Sequence, residues 1–312
     1  MKYARIVFMG TPDFAVSPLK ALIDAGYTIS AVVTRPDRPK GRGRTLSMPP
    51  VKEVALEHGI KVLQPERIKE SSFFDTLKAL APEIIVVVAY GKILPSAILA
   101  MPPKGCINLH SSLLPQYRGA APINWAIVRG EEKSGVTTMV MDEGMDTGPI
   151  LLQAAVPIDD DDTAQSLHDR LSEVGAGLLI TTISRVIDGT IKPVSQDDSK
   201  ATYAPMLKKE DGSVEWKSDA VTIHNLVRGL FPWPGAYTRW NGKSLKVLKG
   251  AARAGDTGEV PGTILGVTEE GIDVATGDGI YVIMELQPES KRKMTAAEFS
   301  KGYRIGTGQI LN

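Results

Sequence analysis

The chain has 312 residues, of which 43% are hydrophobic and 23% charged, with 36 basic and 36 acidic side chains. This length exceeds what a single core usually fills, so we expect two domains, and the ordinary composition excludes a disordered or disulfide-stapled protein. The balanced charge gives no general attraction to nucleic acid, although a local basic patch could still bind one.

The first half of the chain alternates between strand-like and helix-like segments. Apolar runs predict strands at 4–9, 29–33, 84–89, 106–109 and 136–141. Helical periodicity between them predicts helices at 14–25, 51–57, 73–80 and 123–128. Continuous apolar runs are typical of strands covered on both faces, and regular alternation is typical of a parallel sheet. This part is therefore predicted to be α/β, with a Rossmann-like, doubly wound parallel sheet.

The pattern changes after a long amphipathic helix predicted at 163–187. The polar stretch that follows shows neither periodicity and is interpreted as a linker. Beyond it, a helix at 220–230 precedes short strands separated by glycines, which is typical of a small β-barrel. The predicted organisation is an N-terminal domain at 1–189, a linker at 190–208 and a C-terminal, OB-like β-barrel at 209–312.

The sequence predicts a cytoplasmic protein that does not enter a membrane. The apolar run at 6–9 is shorter than a signal-peptide core of about 7 to 15 residues. The longest strongly apolar run, 84–90, is shorter than the roughly 18 residues of a membrane span. Cys106 is the only cysteine, which excludes an internal disulfide, and it is predicted to be a buried strand residue.

The loop after the first strand reads Gly10-Thr11-Pro12-Asp13. It lacks the G-x-G-x-x-G spacing, and Pro12 has no amide hydrogen for a pyrophosphate. A nicotinamide dinucleotide is therefore disfavoured. The loop is interpreted either as an ordinary strand-to-helix turn or as a substrate contact.

Asn108 and His110 lie two residues apart at the carboxyl end of the fourth strand, so their side chains point to the same side. Ligands of open α/β sheets bind beyond these strand ends. The Asn108 amide can donate to an oxyanion, and the imidazole can exchange a proton near neutral pH. Either residue alone would more often be structural, but the pair favours carbonyl chemistry.

Two segments that follow Asn108 and His110 in the chain form a recognisable pattern. After Asn108-x-His110 the chain reads Ser112-Leu113-Leu114-Pro115-Gln116-Tyr117-Arg118-Gly119, and later Met141-Asp142-Glu143-Gly144-Met145-Asp146-Thr147-Gly148-Pro149. These segments resemble the 10-formyltetrahydrofolate-dependent formyltransferase family. The resemblance implies that Asn108, His110 and Asp146 are catalytic and that Asp146 orients His110 or a water. It leaves open which of His110 and Asp146 takes the proton first.

The same resemblance implies a folate site lined by Ser112, Leu113, Leu114 and Pro115, with 10-formyltetrahydrofolate as the formyl donor. No metal is implied. The mechanism needs none, and the remaining histidines lack ligand spacing; they are His58, His168 and His224.

The loop after the second strand, residues 34–44, carries five basic side chains and one acidic one. Such a loop can follow a phosphate backbone, although a solvated surface loop would have a similar composition. The resemblance extends over essentially the whole chain and implies the branch that formylates the α-amino group of methionyl initiator tRNA. It implies a tRNA-binding C-terminal barrel and a tRNA contact from Arg42, and the basic composition of the loop extends the expected contacts to Arg38, Lys40 and Arg44. No obligate protein partner is implied.

Two alternatives stay open on the sequence alone. The nearest is a formyltransferase or formyl hydrolase that acts on a sugar-nucleotide amine or on water. The other is a non-catalytic module that binds folate or RNA. The complete set of Asn108, His110 and Asp146 argues against the second alternative, because binding alone would not need all three polar groups.

Overall fold

A computed structural model describes residues 2–40 and 45–312 of the chain. Its Cα positions divide the protein into two compact units. The first unit contains Met1–Gly119, Ser134–Pro157 and His168–Tyr203, and the second contains Ala120–Lys133, Ile158–Leu167 and Ala204–Asn312. The chain therefore passes between the two units several times.

The elements of the described residues are as follows in chain order. The strands are β1 (Lys2–Gly10), β2 (Tyr27–Val33), β3 (Arg38–Lys40), β4 (Thr45–Ser47), β5 (Val62–Leu63), β6 (Ile84–Val88), β7 (Cys106–His110), β8 (Arg118–Gly119), β9 (Lys133–Val140), β10 (Ile150–Pro157), β11 (Tyr203–Ala204), β12 (Ala236–Trp240), β13 (Lys243–Arg253), β14 (Ile264–Val267), β15 (Ile272–Ala275), β16 (Ile280–Pro288) and β17 (Met294–Thr295). The α-helices are α1 (Val16–Asp24), α2 (Pro50–Glu57), α3 (Ser71–Leu80), α4 (Ser96–Leu99), α5 (Pro122–Val128), α6 (Ala164–Ile187), α7 (Ala220–Gly229) and α8 (Ala296–Tyr303).

The first unit contains a seven-stranded sheet in the order β10-β9-β7-β6-β1-β2-β5. The pairs β1·β2, β1·β6, β2·β5 and β6·β7 are parallel. The predicted parallel-sheet fold class is thus confirmed, with the difference that β9 pairs antiparallel to β7. The short strands β3 and β4 form a separate antiparallel hairpin that the apolar pattern did not predict.

Burial explains why the central strands read as continuous apolar runs. All five residues of β6 are buried, since helices cover both faces of such a sheet. On one face Val7, Val33 and Ile85 pack with Phe73 and Leu77 from α3. Each large aliphatic side chain buried in this way contributes about 1.5 to 3 kcal/mol.

Parallel pairing brings several strand ends to one edge of the sheet. Gly10 at the end of β1 pairs with Val88 at the end of β6, and Val87 pairs with Asn108 in β7. Gly10 has no room for a side chain, because a Cβ there would lie 2.8 Å from the Phe8 ring. The loops that follow β1, β2, β6 and β7 therefore leave from the same edge, where ligands of such sheets bind.

The predicted helix at 163–187 is confirmed as α6, and the predicted helix at 220–230 as α7. The stretch 190–208, interpreted as a linker, is hydrogen-bonded to other parts of the chain. Val194 and Ile150 exchange two backbone hydrogen bonds of 2.8 Å each, and Asp198–Lys200 form a 3-10 turn. No helix among the described residues is long and apolar enough to cross a bilayer.

The second unit carries an antiparallel sheet in the order β12-β13-β16-β15-β14, with β17 added to β16. This confirms the prediction of a C-terminal domain built on an antiparallel sheet. Its core includes Trp216, Tyr281, Ile283 and Phe299. The Trp216 indole nitrogen donates to Thr238 Oγ1 at 2.9 Å, which satisfies the one polar atom of that buried ring.

Candidate active site

Asn108 and His110 share one face at the end of β7. Leu109, which lies between them, points to the other face of the sheet and packs closely against Gly175 of α6. A Cβ added to Gly175 would lie 2.9 Å from the Leu109 side chain. Asn108 is 9% exposed and His110 is 7% exposed. Among the described residues, the Asn108 side-chain amide has no hydrogen-bond partner, so its two hydrogens are available to a ligand.

The two nitrogens of the His110 ring have different surroundings. Nε2 lies 3.0 Å from the Tyr117 carbonyl oxygen, and since a carbonyl can only accept, Nε2 carries a hydrogen. In the neutral ring Nδ1 is then the nitrogen with a free lone pair. Nδ1 faces Asp146 Oδ2 at 3.7 Å, a separation beyond hydrogen-bond length but within the distance of an ion pair. The ring can therefore take up a proton at Nδ1 with a carboxylate next to it.

Asp146 reaches this position through a tight turn after β9. Its backbone is left-handed, with φ of 54°, and its Oδ2 accepts the Gly119 amide at 2.8 Å. Asp142 stabilises the turn by accepting from the Gly144 amide at 3.0 Å and from the Thr147 hydroxyl at 2.7 Å. The structure thus brings together the strand end and the distant aspartate that sequence analysis predicted.

A glutamine from the segment interpreted as a linker also contacts this turn. Gln196 Nε2 donates to the backbone carbonyls of Asp146 and Gly148, both at 2.8 Å. Its Oε1 accepts from Arg118 Nε at 3.1 Å and Nη2 at 2.8 Å. Sequence analysis missed Gln196 because residues 195–202 show no periodicity and the residue lies 50 positions from Asp146.

The segment proposed to line a folate site, Ser112 to Pro115, is hydrogen-bonded to side chains of β9 and β10. Thr137 Oγ1 donates to the Ser112 carbonyl at 2.6 Å and accepts the Leu114 amide at 3.1 Å. Gln153 Nε2 donates to the Leu114 carbonyl at 2.9 Å. Ser112 and Leu114 are buried, and their polar groups bond to other groups of the protein, whereas Leu113 and Pro115 are partly exposed. Thr137 and Gln153 carried no motif signal that would have identified them.

The basic loop begins as the β3–β4 hairpin. Arg38 is exposed, Lys40 is the last residue of β3, and Arg42 and Arg44 lie outside the described residues. At the root of the hairpin, Lys52 Nζ contacts Asp37 Oδ2 at 2.7 Å, and Gln64 Nε2 donates to Asp37 Oδ1 at 2.7 Å. The hydrogen bond from Lys52, with that from Gln64, lowers the pKa of Asp37 below its ordinary value.

Cys106 is buried, as the sequence predicted. Burial raises the pKa of its thiol to about 12, so the sulfur stays protonated at neutral pH and is a poor nucleophile. No group of three or more His, Cys, Asp or Glu side chains suited to a metal ion occurs within residues 2–40 and 45–312.

A surface cavity of about 540 Å³ lies elsewhere in the first unit. It is lined in part by Arg5, Lys78, Glu83 and Met101, near the amino ends of β1 and β6. This is the opposite edge of the sheet from Asn108 and His110. The cavity is therefore separate from the candidate active site.

Two of the basic side chains of the second unit are paired locally. Arg253 forms an ion pair with Asp273, and Arg292 with Glu298 at 3.1 Å. Further cations lie on β12 and β13, where Arg239 pairs in register with Ser244, Tyr237 with Lys246, and Trp240 with Lys243.

Comparison with known proteins agrees with this arrangement over almost the entire chain. Residues 4–183 match the formyl transferase family, and residues 206–304 match the formyl transferase C-terminal domain. A methionyl-tRNA formyltransferase of Pelobacter propionicus is 52% identical over 311 residues, covering 100% of this chain and 97% of the relative. That of Geobacter sulfurreducens is 53% identical over 307 residues, covering 98% and 96%.

Among solved structures, an N-formyltransferase from Helicobacter canadensis in complex with folinic acid and dTDP-3-aminofucose has a TM-score of 0.65 at 22% identity. The match covers 94% of this chain and 100% of that one, and shows a shared fold. The chain belongs to the formyl transferase family, within the group whose named relatives are methionyl-tRNA formyltransferases.

Proposed function

We propose that this protein transfers the formyl group of 10-formyltetrahydrofolate to the α-amino group of methionyl initiator tRNA. The observation that carries the proposal is the convergence of His110 Nδ1 and Asp146 Oδ2, 3.7 Å apart, beside the free amide of Asn108. The full-length identity to methionyl-tRNA formyltransferases supports the choice of acceptor.

The transfer forms one C–N bond and breaks another. The amine nitrogen attacks the formyl carbon, and the carbonyl oxygen gains negative charge in the tetrahedral intermediate. The Asn108 amide donates to that oxygen, which stabilises the transition state more than the ground state. The amine then has to lose a proton, and N10 of the leaving folate has to gain one.

His110 is the residue that carries this proton in the proposal. Its Nε2 hydrogen is directed to the Tyr117 carbonyl, so Nδ1 accepts the proton from the attacking amine. The Asp146 carboxylate opposes the positive charge that the ring then gains. The same proton passes to N10 as the C–N10 bond breaks, so the ring and the carboxylate return to their starting states.

The folate is proposed to lie along Ser112 to Pro115. The hydroxyl of Ser112 donates to the Gln116 carbonyl at 2.6 Å, and the Leu114 carbonyl accepts from Gln153. These groups fix the loop rather than the ligand. Contact with folate then falls to the partly exposed side chains of Leu113 and Pro115 and to the remaining backbone groups.

The tRNA is proposed to contact Arg38, Lys40, Arg42 and Arg44 through its phosphates. Asp37 is the one acidic residue of this loop, and its charge is matched by Lys52 of α2. The negative charge of Asp37 is therefore balanced by Lys52, outside the loop, and does not reduce the effect of the basic residues of the loop. Cations clustered in one loop suit a polyanionic partner.

The acceptor is tested by offering the purified protein 10-formyltetrahydrofolate with one of three amines. These are methionyl initiator tRNA, methionyl elongator tRNA and dTDP-3-aminofucose, which is included because the N-formyltransferase that shares this fold was solved in complex with it. We expect transfer to the initiator tRNA alone. Transfer to the sugar nucleotide, with none to initiator tRNA, would exclude the proposed acceptor.

A further inference from the structure

We infer that Gln196 is a positioning residue for Asp146. Its side-chain amide holds the backbone that follows the Asp146 α-carbon, at the carbonyls of Asp146 and Gly148, and so helps to set the distance of the carboxylate from His110. The inference rests on the proposed function, because that proposal gives Asp146 its part in the reaction.

All the hydrogen-bonding capacity of the Gln196 amide is used. Oε1 accepts two hydrogens from Arg118, and Nε2 donates its two hydrogens to the carbonyls of Asp146 and Gly148. Reversing the amide would place its oxygen against two carbonyl oxygens and its nitrogen against a guanidinium. The orientation of the amide is therefore specified from both ends.

The turn at Asp146 is held from outside. A left-handed φ of 54° is costly for most residues with a side chain and is tolerated by aspartate in turns, where contacts from other segments help to keep it. Gly148 packs so closely that a Cβ there would lie 1.8 Å from the Val140 carbonyl oxygen. Gln196 holds the backbone of this turn, and the Gly119 amide holds the carboxylate.

Arg118 contacts Gln196 and so acts on Asp146 only indirectly. Its side chain is 3% exposed and needs partners for its charge. Its ion-pair partner Asp198 is 80% exposed and contacts one nitrogen of the guanidinium, Nη2, at 2.7 Å. Gln196 Oε1 accepts from both Nε and Nη2, so this two-point contact orients the guanidinium, and the guanidinium in turn fixes which end of the amide faces Asp146.

The test is the substitution Gln196→Glu. A glutamate keeps the oxygen that faces Arg118, but it removes both N–H donors and turns a charged oxygen toward two carbonyl oxygens. The ion pair with Arg118 offsets part of this repulsion, so the thermal midpoint should fall only slightly. We expect kcat to fall by roughly tenfold to a hundredfold, as misplacement of a group in the site does, with KM for tRNA and folate close to wild type.

Gln309→Glu is the matched control. Gln309 Oε1 accepts from the Trp240 indole at 2.9 Å, and its Nε2 donates to the Arg304 carbonyl in the second unit. The substitution again keeps an acceptor and removes donors. We expect its kcat to equal that of the wild type.

Three outcomes would overturn the inference. One is an unchanged kcat in Gln196→Glu, and another is a fall in kcat that the loss of thermal stability accounts for. The third is a crystal structure of the variant in which His110 Nδ1 and Asp146 Oδ2 remain 3.7 Å apart. Failure of the wild type to formylate methionyl initiator tRNA would instead refute the proposed function, and the crystal structure would still decide the role of Gln196.

Discussion

The polar groups at the end of β7 and those at the root of the β3–β4 hairpin are held in different ways. Asn108, His110 and Arg118 are each less than 10% exposed, and Gln196 reaches Arg118 across 78 positions of sequence. At the hairpin root, the Asp37 and Lys52 side chains are 20% and 16% exposed and only 15 positions apart.

The difference follows from what each region is proposed to do. Groups that stabilise a transition state have to be held in place before the substrate arrives, and buried hydrogen bonds from distant segments provide that rigidity. Contact with a charged polymer needs cations that can approach its phosphates, and it tolerates a less exact position of those cations. Perturbing the strand end should therefore lower turnover, and perturbing the hairpin should weaken tRNA binding.

The largest effect is expected from Asn108. Replacing it with alanine removes the amide donors and should lower kcat by about a hundredfold or more, the usual result of losing one oxyanion donor. The thermal midpoint should change little, because among the described residues the amide has no protein partner to lose. Steady-state kinetics and thermal unfolding measure the two effects.

Asn108→Asp gives the companion test of this prediction. Aspartate is close to asparagine in shape but has no N–H donors when ionised. If the amide donates to the substrate, the aspartate variant should lose at least as much activity as the alanine variant. Near-normal turnover in the aspartate variant would mean that the side chain only fills space.

The second effect concerns the hairpin and should appear in KM. Deleting residues 38–44 removes the proposed phosphate contacts, so KM for tRNA should rise while KM for folate and the folate-bound structure stay the same. The slope of log KM for tRNA against the logarithm of the salt concentration should decrease by roughly 1 per lost phosphate contact. Steady-state kinetics over a range of salt concentrations measure this.

A variant with glutamine at positions 38, 40, 42 and 44 separates charge from backbone in that experiment. It keeps the length of the loop and removes only the cations. If charge carries the contact, its tRNA KM and salt dependence should match those of the deletion. An unchanged tRNA KM in both variants would leave the hairpin without the proposed role.

The two regions also differ in how far the sequence predicted them. Asn108 and His110 could be paired from strand periodicity, and the parallel order followed from continuous apolar runs such as β6. Gln196 and Thr137 could not be found, because each acts through a backbone carbonyl of a residue distant in sequence. Apolar periodicity and sequence motifs indicate local structure, whereas these contacts depend on how distant segments pack. The hairpin was missed because its strands have only three residues each, Arg-Pro-Lys in β3 and Thr-Leu-Ser in β4, which is too short for an apolar period.

The smallest effect is a pH dependence at the hairpin root. The hydrogen bond from Lys52, with that from Gln64, lowers the pKa of Asp37 below its ordinary value of 3.8. A carboxylate with a lowered pKa stabilises the folded state at pH values above its ordinary pKa, and this contribution is lost as the pH falls through the lowered value. Asp37→Asn should therefore shift the urea midpoint of unfolding to lower urea by the same amount from about pH 7 to about pH 5, and by less at about pH 3. Lys52→Met should reproduce the shift at neutral pH, because it removes the other half of the same pair. A difference between wild type and Asp37→Asn that already shrinks near pH 6 would show that another titrating group, and not Asp37, holds the root of the hairpin.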